Sequence, residues 1–296
     1  MNAALQPHRA ELARDARNEK WALFGLSLPA LVLVGTILIL PTLWLFWLSF
    51  LDGHGALSLV NYQRLIREPS YGRILLATFE ISAATTAICV ALGYPLAYVL
   101  AQMPARAANF CMLGVLMPFW TSILVRTYAW LVILQRHGVI NDWGMRLGLW
   151  HHPLDLVYNF EGTLIGLVHI MLPFLVLPVY GSMRAMDLDY MKAAANLGAT
   201  PAQAFWRVFC PLTLPGLYAG LLMVFILCLG AYVTPEMLGG GKMIMVANGI
   251  ATNIQVFFNW GAASALGVVL MVLTGVILWI AVRLAGADRL FGGHGT

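Results

Sequence analysis

Three ionisable side chains lie inside long apolar segments of the sequence: Glu80, Arg126 and His169. A charge placed in hydrocarbon costs about 2.5–3.5 kcal/mol on insertion scales, so such a group usually faces a cavity or a partner. Glu80 could bind a cation, pair with Arg126 or contact a neighbouring chain. For Arg126 we favour a structural ion pair or a helix-end contact, and for His169 a hydrogen-bonded interior histidine; contact with a ligand is the alternative for both.

Aromatic side chains near these groups could hold a cation by cation–π attraction of about 0.5–2 kcal/mol. Trp120 and Tyr128 are suitably placed, although aromatic residues in membrane proteins mostly serve packing or the interfacial belts. Glu236, in Thr-Pro-Glu at the end of another apolar segment, could also bind a cation. A solvated acid at a helix end is the equal alternative.

The sequence contains no recognisable catalytic or metal motif. The glycine-rich stretch 238–243 lacks the spacing of a phosphate-binding loop, and His151-His152 is a pair without further ligands. No nucleophile stands near a base, and the four cysteines form no C-x-x-C pair. We therefore expect a protein that is not an enzyme, with no metal or cofactor of its own.

The composition indicates an integral membrane protein. Hydrophobic residues make up 60% of the chain and charged residues 10%, whereas soluble domains carry about 25% charged residues. The basic residues behind the net charge of +4 are scattered, so they predict topology rather than nucleic-acid binding. The first apolar run, 22–51, is too long for a signal peptide and is read as a retained anchor.

Six segments have the roughly 20 apolar residues that a membrane-spanning helix needs, and they predict an all-α fold. The predicted spans are 22–51, 74–101, 107–134, 164–183, 216–235 and 262–282. Prolines within them are expected to kink the helices; these are Pro29, Pro41, Pro95, Pro118, Pro173 and Pro178.

The distribution of basic residues predicts that both termini lie in the cytoplasm. With that orientation ten Lys and Arg residues fall inside and six outside. We divide the chain into a cytoplasmic N-terminal tail (1–20), a transmembrane domain (21–285) that includes a loop at 187–215, and a C-terminal tail (286–296).

This 187–215 loop predicts a cytoplasmic helical hairpin. Asp187 or Asp189 would cap the first helix, and Gly198 would end it in the left-handed conformation. The second helix would start at Thr200-Pro201-Ala202-Gln203, where threonine caps, proline fits the first turn and glutamine completes a capping box.

The second helix of the hairpin is predicted to be short and amphipathic. Ala202, Phe205, Trp206 and Phe209 follow the i, i+3, i+4, i+7 pattern of one apolar face. Pro211 and Pro215-Gly216 would end the helix and turn the chain into the fifth span. A docking knob and an interfacial helix lying on the membrane both fit these residues.

The pattern A-A-x-x-L-G-A, then F-x-x-V and P-L-x-x-P-G, resembles the signature cytoplasmic loop of bacterial ABC-importer permeases. It is carried by Ala193, Ala194, Leu197, Gly198, Ala199, Phe205, Val208, Pro211, Leu212, Pro215 and Gly216. The resemblance implies a coupling helix that sits in a cleft on an ATPase subunit. Where that family usually has a glutamate, this chain has Lys192, which puts any corresponding salt bridge in doubt.

Further segments resemble the spermidine/putrescine-type permeases, including "MPFWTSILVRTYAWLVILQRHGVIN" (117–141) and "GAYVTPEMLGG" (230–240). The resemblance implies a type I ABC importer permease in a bacterial inner membrane. Its partners would be a sister permease, two ATPase subunits carrying Mg-ATP, an extracytoplasmic binding protein and membrane lipid. The solute would be a polyamine or another small amino-bearing molecule, and Glu80 could then contact an ammonium group.

A rival class is an ion-coupled secondary transporter that needs no ATPase. That class predicts inverted repeats and charged relays in broken helices, whereas this sequence has one cytoplasmic knob and few buried acids. A membrane enzyme would need a convergent catalytic constellation, and the sequence shows none.

Overall fold

The described part of the chain is helical apart from one isolated β-bridge between Leu51 and Leu57. A computed structural model describes residues 5–52, 55–187 and 189–285, with side chains between 25 and 283. The helices are α1 (Leu5–Ser49), α2 (Val60–Arg67), α3 (Pro69–Gln102), α4 (Ala105–Leu116), α5 (Ile123–Leu134), α6 (Val139–Arg146), α7 (Phe160–Ala185), α8 (Asp189–Asn196), α9 (Pro201–Ala204), α10 (Cys210–Leu229), α11 (Val233–Gly239), α12 (Val246–Gln255) and α13 (Trp260–Ala285).

Five continuous helical stretches are long and apolar enough to cross a membrane: Gly25–Ser49, Pro69–Gln102, Phe160–Ala185, Pro201–Leu229 and Trp260–Arg283. They lie at five of the six predicted spans. A sixth span exists if the bent pair Ala105–Trp120 and Ile123–Arg146 is counted as one. The all-α membrane fold predicted from composition is confirmed.

The third predicted span, 107–134, is not a continuous helix. Its two halves meet at 97° around Thr121, which has extended backbone, and Ser122, whose backbone is not helical. Pro118 lies in a 3₁₀ turn, Met117–Trp120, just before the break. Because proline lacks an N–H and clashes with the preceding turn, it disfavours continuation of the helix there. The other predicted kink prolines lie inside continuous helices.

The fifth predicted span, 216–235, was placed too far along the chain. The helix begins at Pro201 and ends at Leu229, and residues after Gly230 form the separate α11. The prediction that Pro211 and Pro215 end the hairpin helix is therefore wrong. A π-helical turn, Phe205–Phe209, precedes Pro211, and the Cys210 N–H bonds to the Phe205 carbonyl. This wider turn accommodates the proline that an unbroken α-helical ladder would not.

The core lies between α3, α7 and α10. Ile81, Leu175, Val176 and Val224 are fully buried within it. By contrast, no side chain is buried in the most apolar part of the first span, which lies against α13. The chain therefore has a packed three-helix centre and a peripheral first helix suited to contact with lipid.

The structure describes only part of the two predicted tails. Residues 5–20 are helical and continuous with the first span, while residues 286–296 lie outside the described residues. At the end of the fifth span opposite the hairpin, the chain forms α11 and α12 before it enters α13.

Candidate functional site

The hairpin turns at Gly198, as the sequence predicted. Gly198 has φ of 84°, its N–H donates to the Ala195 carbonyl at 2.9 Å, and the Ala199 N–H donates to the Ala194 carbonyl at 3.1 Å. This pair of bonds is the Schellman arrangement, which satisfies the last carbonyls of α8. A side-chain Cβ at Gly198 would meet no atom within 4 Å, so only the backbone conformation demands glycine.

The second helix of the hairpin begins with the predicted capping box. The Gln203 N–H donates to Thr200 Oγ1 at 3.3 Å, and the Thr200 N–H donates to Gln203 Oε1 at 3.0 Å. Pro201 occupies the first helical turn. At the start of α8, Asp187 Oδ1 accepts from the Asp189 N–H at 2.9 Å. Local capping chemistry thus fixes both helix starts and the turn between them.

Two aromatic side chains pack the hairpin against the membrane-spanning helices. The rings of Phe205 and Phe209 each pack against Tyr98 on α3 in a T-shaped arrangement, with centroids 5.3 and 5.2 Å from that of Tyr98. The predicted apolar face is partly wrong, because Ala202 and Trp206 are exposed while Ala204 is buried with Phe209. The π-helical turn changes which residues face the bundle, and a strict 3.6-residue period cannot anticipate that change.

The outer surface of the hairpin carries apolar side chains that no other described residue covers. Leu197, at the tip, is 89% exposed, and Tyr190 and Trp206 are also exposed. Beside them, Lys192 Nζ bonds to Asp189 Oδ1 at 2.7 Å within the same helix. The lysine that replaces the usual glutamate thus has an acidic partner of its own.

The other predicted coupling residues fall into two groups. Ala193 is exposed and Ala194 and Ala199 are half-buried at the hairpin turn, and Pro211 and Pro215 are exposed along α10. Gly216 is instead a packing residue in the bundle, because a Cβ there would lie 2.4 Å from Ser182 Cβ on α7. Gly220 approaches α7 similarly. The small-xxx-small spacing of Gly216 and Gly220 was the available sequence signal, and it was missed.

His169 is a hydrogen-bonded interior histidine, the interpretation favoured from the sequence. Trp130 Nε1 donates to His169 Nδ1 at 3.0 Å, so a neutral imidazole carries its proton on Nε2. Arg126 lies on the same helix as Trp130, and its Nε is buried without a hydrogen-bond partner among the described residues. No ion pair joins Arg126 to Glu80 in the described part of the chain, so the pairing considered for these two residues is not formed.

Three of the predicted substrate-path residues point away from the chain. Glu80 on α3, Trp120 before the break and Tyr128 on α5 are all exposed. No hydrogen bond between described residues connects any of the three to another. The structure brings Arg126 and His169 into one neighbourhood but does not gather the six predicted residues into one site.

Glu236 lies on α11 and contacts a residue that the sequence did not single out. Asn248, on α12, donates from Nδ2 to Glu236 Oε2 at 2.6 Å and to the Tyr232 carbonyl at 3.2 Å. The opposite face of α11 packs on α5, where Thr127 Oγ1 and Thr234 Oγ1 are 3.3 Å apart. An asparagine 12 residues after an acid gives no local signal, so only the fold reveals this pair.

Within residues 5–52, 55–187 and 189–285, no group of three His, Cys, Asp or Glu residues could hold a metal ion. The geometry of the described residues is that of a membrane bundle with a rigid exposed hairpin.

The fold is that of an ABC importer permease. It matches a chain of a bacterial ABC transporter that imports the acidic polysaccharide alginate, with a TM-score of 0.74, 16% identity, and coverage of 93% of this chain and 98% of that chain. At that identity the likeness establishes the fold alone.

The chain belongs to the family described as binding-protein-dependent transport system inner membrane component, whose pattern matches residues 21–287. It is 32% identical to the spermidine/putrescine transport system permease protein PotB of Escherichia coli (strain K12), over 89% of this chain and 94% of that protein. The PotB protein of Haemophilus influenzae is 31% identical, over 83% and 87%. The inner membrane ABC transporter permease protein YdcU of Escherichia coli is 28% identical, over 98% and 99%.

The chain is therefore a multi-pass inner-membrane permease subunit of an ABC importer, not itself catalytic. It is an inner membrane component of a binding-protein-dependent transport system.

Proposed function

We propose that this chain and a sister permease together form the path of a small cationic solute, a polyamine such as spermidine or putrescine. Two PotB proteins at 32% and 31% identity support this solute class. The observation that carries the coupling role is the hairpin itself. It is rigidly capped, exposes apolar side chains at its tip, and is continuous with the fifth span.

In this proposal the hairpin is the docking element for an ATPase subunit. Leu197 and the other exposed apolar side chains would be buried on docking, which stabilises the contact by about 25 cal/mol per Å² of apolar surface removed from water. Lys192 would face an acidic or neutral site on the ATPase, since the usual glutamate is absent. The Mg-ATP would be bound by the two ATPase subunits.

Force would pass from the hairpin to the path through the helix Pro201–Leu229. Because this helix has no break between the hairpin and the membrane, movement at its start is transmitted along it. Its glycines hold it against α7, and Phe205 and Phe209 hold it against α3. Closure of the ATPase subunits would shift the bundle between two states with outward and inward access.

The proposed orientation places the hairpin and both termini in the cytoplasm. The excess of Lys and Arg on that side supports it. The bent pair α4–α6 then has to be counted as one span, so that the total is even.

Two acidic side chains, as well as the similarity to PotB proteins, support a cationic solute. Glu80 is an exposed carboxylate on a membrane-spanning helix, and Glu236 lies at the far end of the fifth span from the hairpin. Either would suit an ammonium group. Another small amino-bearing solute would suit them equally, and it is the second candidate.

The direct test begins with the binding protein encoded beside this gene. Its affinity for spermidine, putrescine and other amines, measured by calorimetry, should be highest for a polyamine. The full complex in proteoliposomes should then take up that solute only when ATP and the ATPase subunits are present. Preference for a solute without amino groups would refute the polyamine assignment, and uptake without ATPase subunits would refute the coupling mechanism.

A further inference from the structure

A single side chain, Asn248, links α11 and α12 by hydrogen bonds to both a carbonyl and a carboxylate. Asn248 is 4% exposed, and its Nδ2 donates to the Tyr232 carbonyl and to Glu236 Oε2. The other atom of the amide, Oδ1, is buried and has no hydrogen-bond partner among the described residues. Leaving such an acceptor unpaired costs about 1–3 kcal/mol.

Glu236 is exposed and carries its charge without an ionic partner among the described residues. Its Oε2 is held by a neutral amide, its Oε1 makes no hydrogen bond within the described residues, and no described Lys, Arg or His forms an ion pair with it. The Tyr232 carbonyl is already occupied by Asn248 Nδ2, so Oε1 of the exposed Glu236 carboxylate is the acceptor open to an incoming donor. A donor that carries positive charge complements this carboxylate best.

A purely structural role explains this arrangement poorly. Asn253 lies on the same helix and is equally buried, yet both ends of its amide are satisfied. Its Nδ2 donates to the Gly249 carbonyl at 2.8 Å, and Tyr71 Oη donates to its Oδ1 at 3.2 Å. The fold can thus satisfy a buried asparagine on α12, and a buried acceptor left unpaired, such as Asn248 Oδ1, calls for an explanation such as a bound water or ligand.

We infer that Glu236 and Asn248 form a contact for a primary or secondary ammonium group of the solute. This inference rests on the proposed function and adds a residue pair to it. The ammonium donates to Glu236 Oε1. Asn248 acts as a positioning residue, because its Nδ2 fixes the carboxylate against α12. In the proposed orientation this contact is at the extracytoplasmic end of the fifth span, where solute released by the binding protein enters.

The test uses the complete importer in proteoliposomes, with radiolabelled spermidine delivered by saturating binding protein. Glu236→Gln keeps the shape and the Asn248 bond but removes the charge, and it should lower the maximal uptake rate about tenfold. Glu236→Asp should retain most of that rate. Asn248→Ala should lower it severalfold, and the double variant should be no worse than Glu236→Gln alone, because Asn248 acts through Glu236.

Two variants serve as matched controls. Asn253→Ala removes a satisfied buried amide from the same helix, and Glu161→Gln removes an exposed acid from the first turn of α7. Both should keep the wild-type ratio of spermidine transported to ATP hydrolysed, measured per assembled complex. The Glu236 and Asn248 variants should lower that ratio.

The outcomes separate this inference from the proposed function. If the wild-type complex transports spermidine and the Glu236 and Asn248 variants match it, the ammonium contact is refuted and the proposed function stands. If the Asn253 control lowers the ratio as much as Asn248→Ala does, the assignment of Asn248 is overturned. If the wild-type complex transports neither spermidine nor putrescine nor another amine, both proposals fail.

Discussion

Leu197 is an apolar side chain at the tip of the hairpin, exposed to 89% in this chain. Because so little of its side chain is buried, its replacement should not affect folding of the permease. Leu197→Asp should weaken association of the ATPase subunits by at least tenfold, since it places a charge where an apolar contact is expected. Pull-down of the ATPase by the tagged permease complex would measure this.

The matched control for Leu197 is Ala195→Ser, another exposed position on α8, which should retain the ATPase. Wild-type retention by Leu197→Asp would show that the tip is not the docking surface.

Asp155 and Arg136 form an exposed ion pair between the two loops that flank α6. Arg136 Nε lies 2.6 Å from Asp155 Oδ1 and Nη2 lies 3.1 Å from Oδ2. The hydrogen bond and the positive charge of Arg136, aided by Lys242, lower the pKa of Asp155. The stabilisation is therefore present above the usual aspartate pKa of about 3.9 and is lost as the pH falls through the lower folded-state pKa.

The contribution of the Arg136–Asp155 pair is measured by the thermal midpoint of the purified complex between neutral and acidic pH. In the wild type, acidification should lower the thermal midpoint in part because this ion pair is lost. Asp155→Asn lacks the pair at every pH, so the thermal midpoint of the variant should fall less on acidification. Identical pH profiles would mean that the pair contributes nothing to stability.

At the scale of elements, Gly216 determines how closely α10 packs on α7. A Cβ at this position would lie 2.4 Å from Ser182 Cβ and 2.6 Å from the Pro178 carbonyl. Gly216→Leu should therefore separate the two helices and cost about 1–3 kcal/mol or more through overpacking. Loss of folded permease in fluorescence-detected size-exclusion chromatography would report it.

Gly181→Ala is the control for the α7–α10 contact, because a Cβ at Gly181 meets nothing within 4 Å. This variant should elute as the wild type does. Normal folding of Gly216→Leu would contradict the close packing that the structure assigns to these helices.

The elements that the sequence predicted well are those determined by local chemistry. The turn at Gly198 and the capping box at Thr200 need only neighbouring residues, so both were predictable. The continuity of the hairpin with the fifth span was not, because a π-helical turn tolerates Pro211 where the usual rule ends a helix. The bend at Thr121 lies close to Pro118, but its 97° angle depends on packing of distant segments.

The candidate site was less predictable than the hairpin because its contacts join residues that are far apart in the sequence. Glu236 could be singled out as an acid at a span end, but Asn248 joins it only through the fold. The pairing of Trp130 with His169 spans 39 residues and also leaves no local pattern.

Considered as a whole, the molecule combines a packed core with an exposed carboxylate on a membrane-spanning helix. The core of α3, α7 and α10 is well packed, yet Glu80 on α3 is exposed on the outside of the chain. An exposed carboxylate on a membrane-spanning helix needs a polar partner or a water-filled cavity, and the proposed sister permease would provide one.

Glu80→Gln should therefore lower cation uptake severalfold while the two permeases still assemble. Ala87→Ser, on the same exposed face of α3, is the matched control and should transport normally. Unchanged uptake by Glu80→Gln would assign Glu80 a structural role.

If the shape of the hairpin couples ATP hydrolysis to transport, a residue that resists the turn at Gly198 should break that coupling. Valine resists the left-handed conformation that Gly198 adopts at φ of 84°, at a cost of about 1–2 kcal/mol for a side-chain-bearing residue, whereas asparagine tolerates it. The measurement is the ratio of solute transported to ATP hydrolysed by the reconstituted complex. Gly198→Val should lower that ratio severalfold and Gly198→Asn should leave it near the wild-type value; a wild-type ratio in the valine variant would contradict the account.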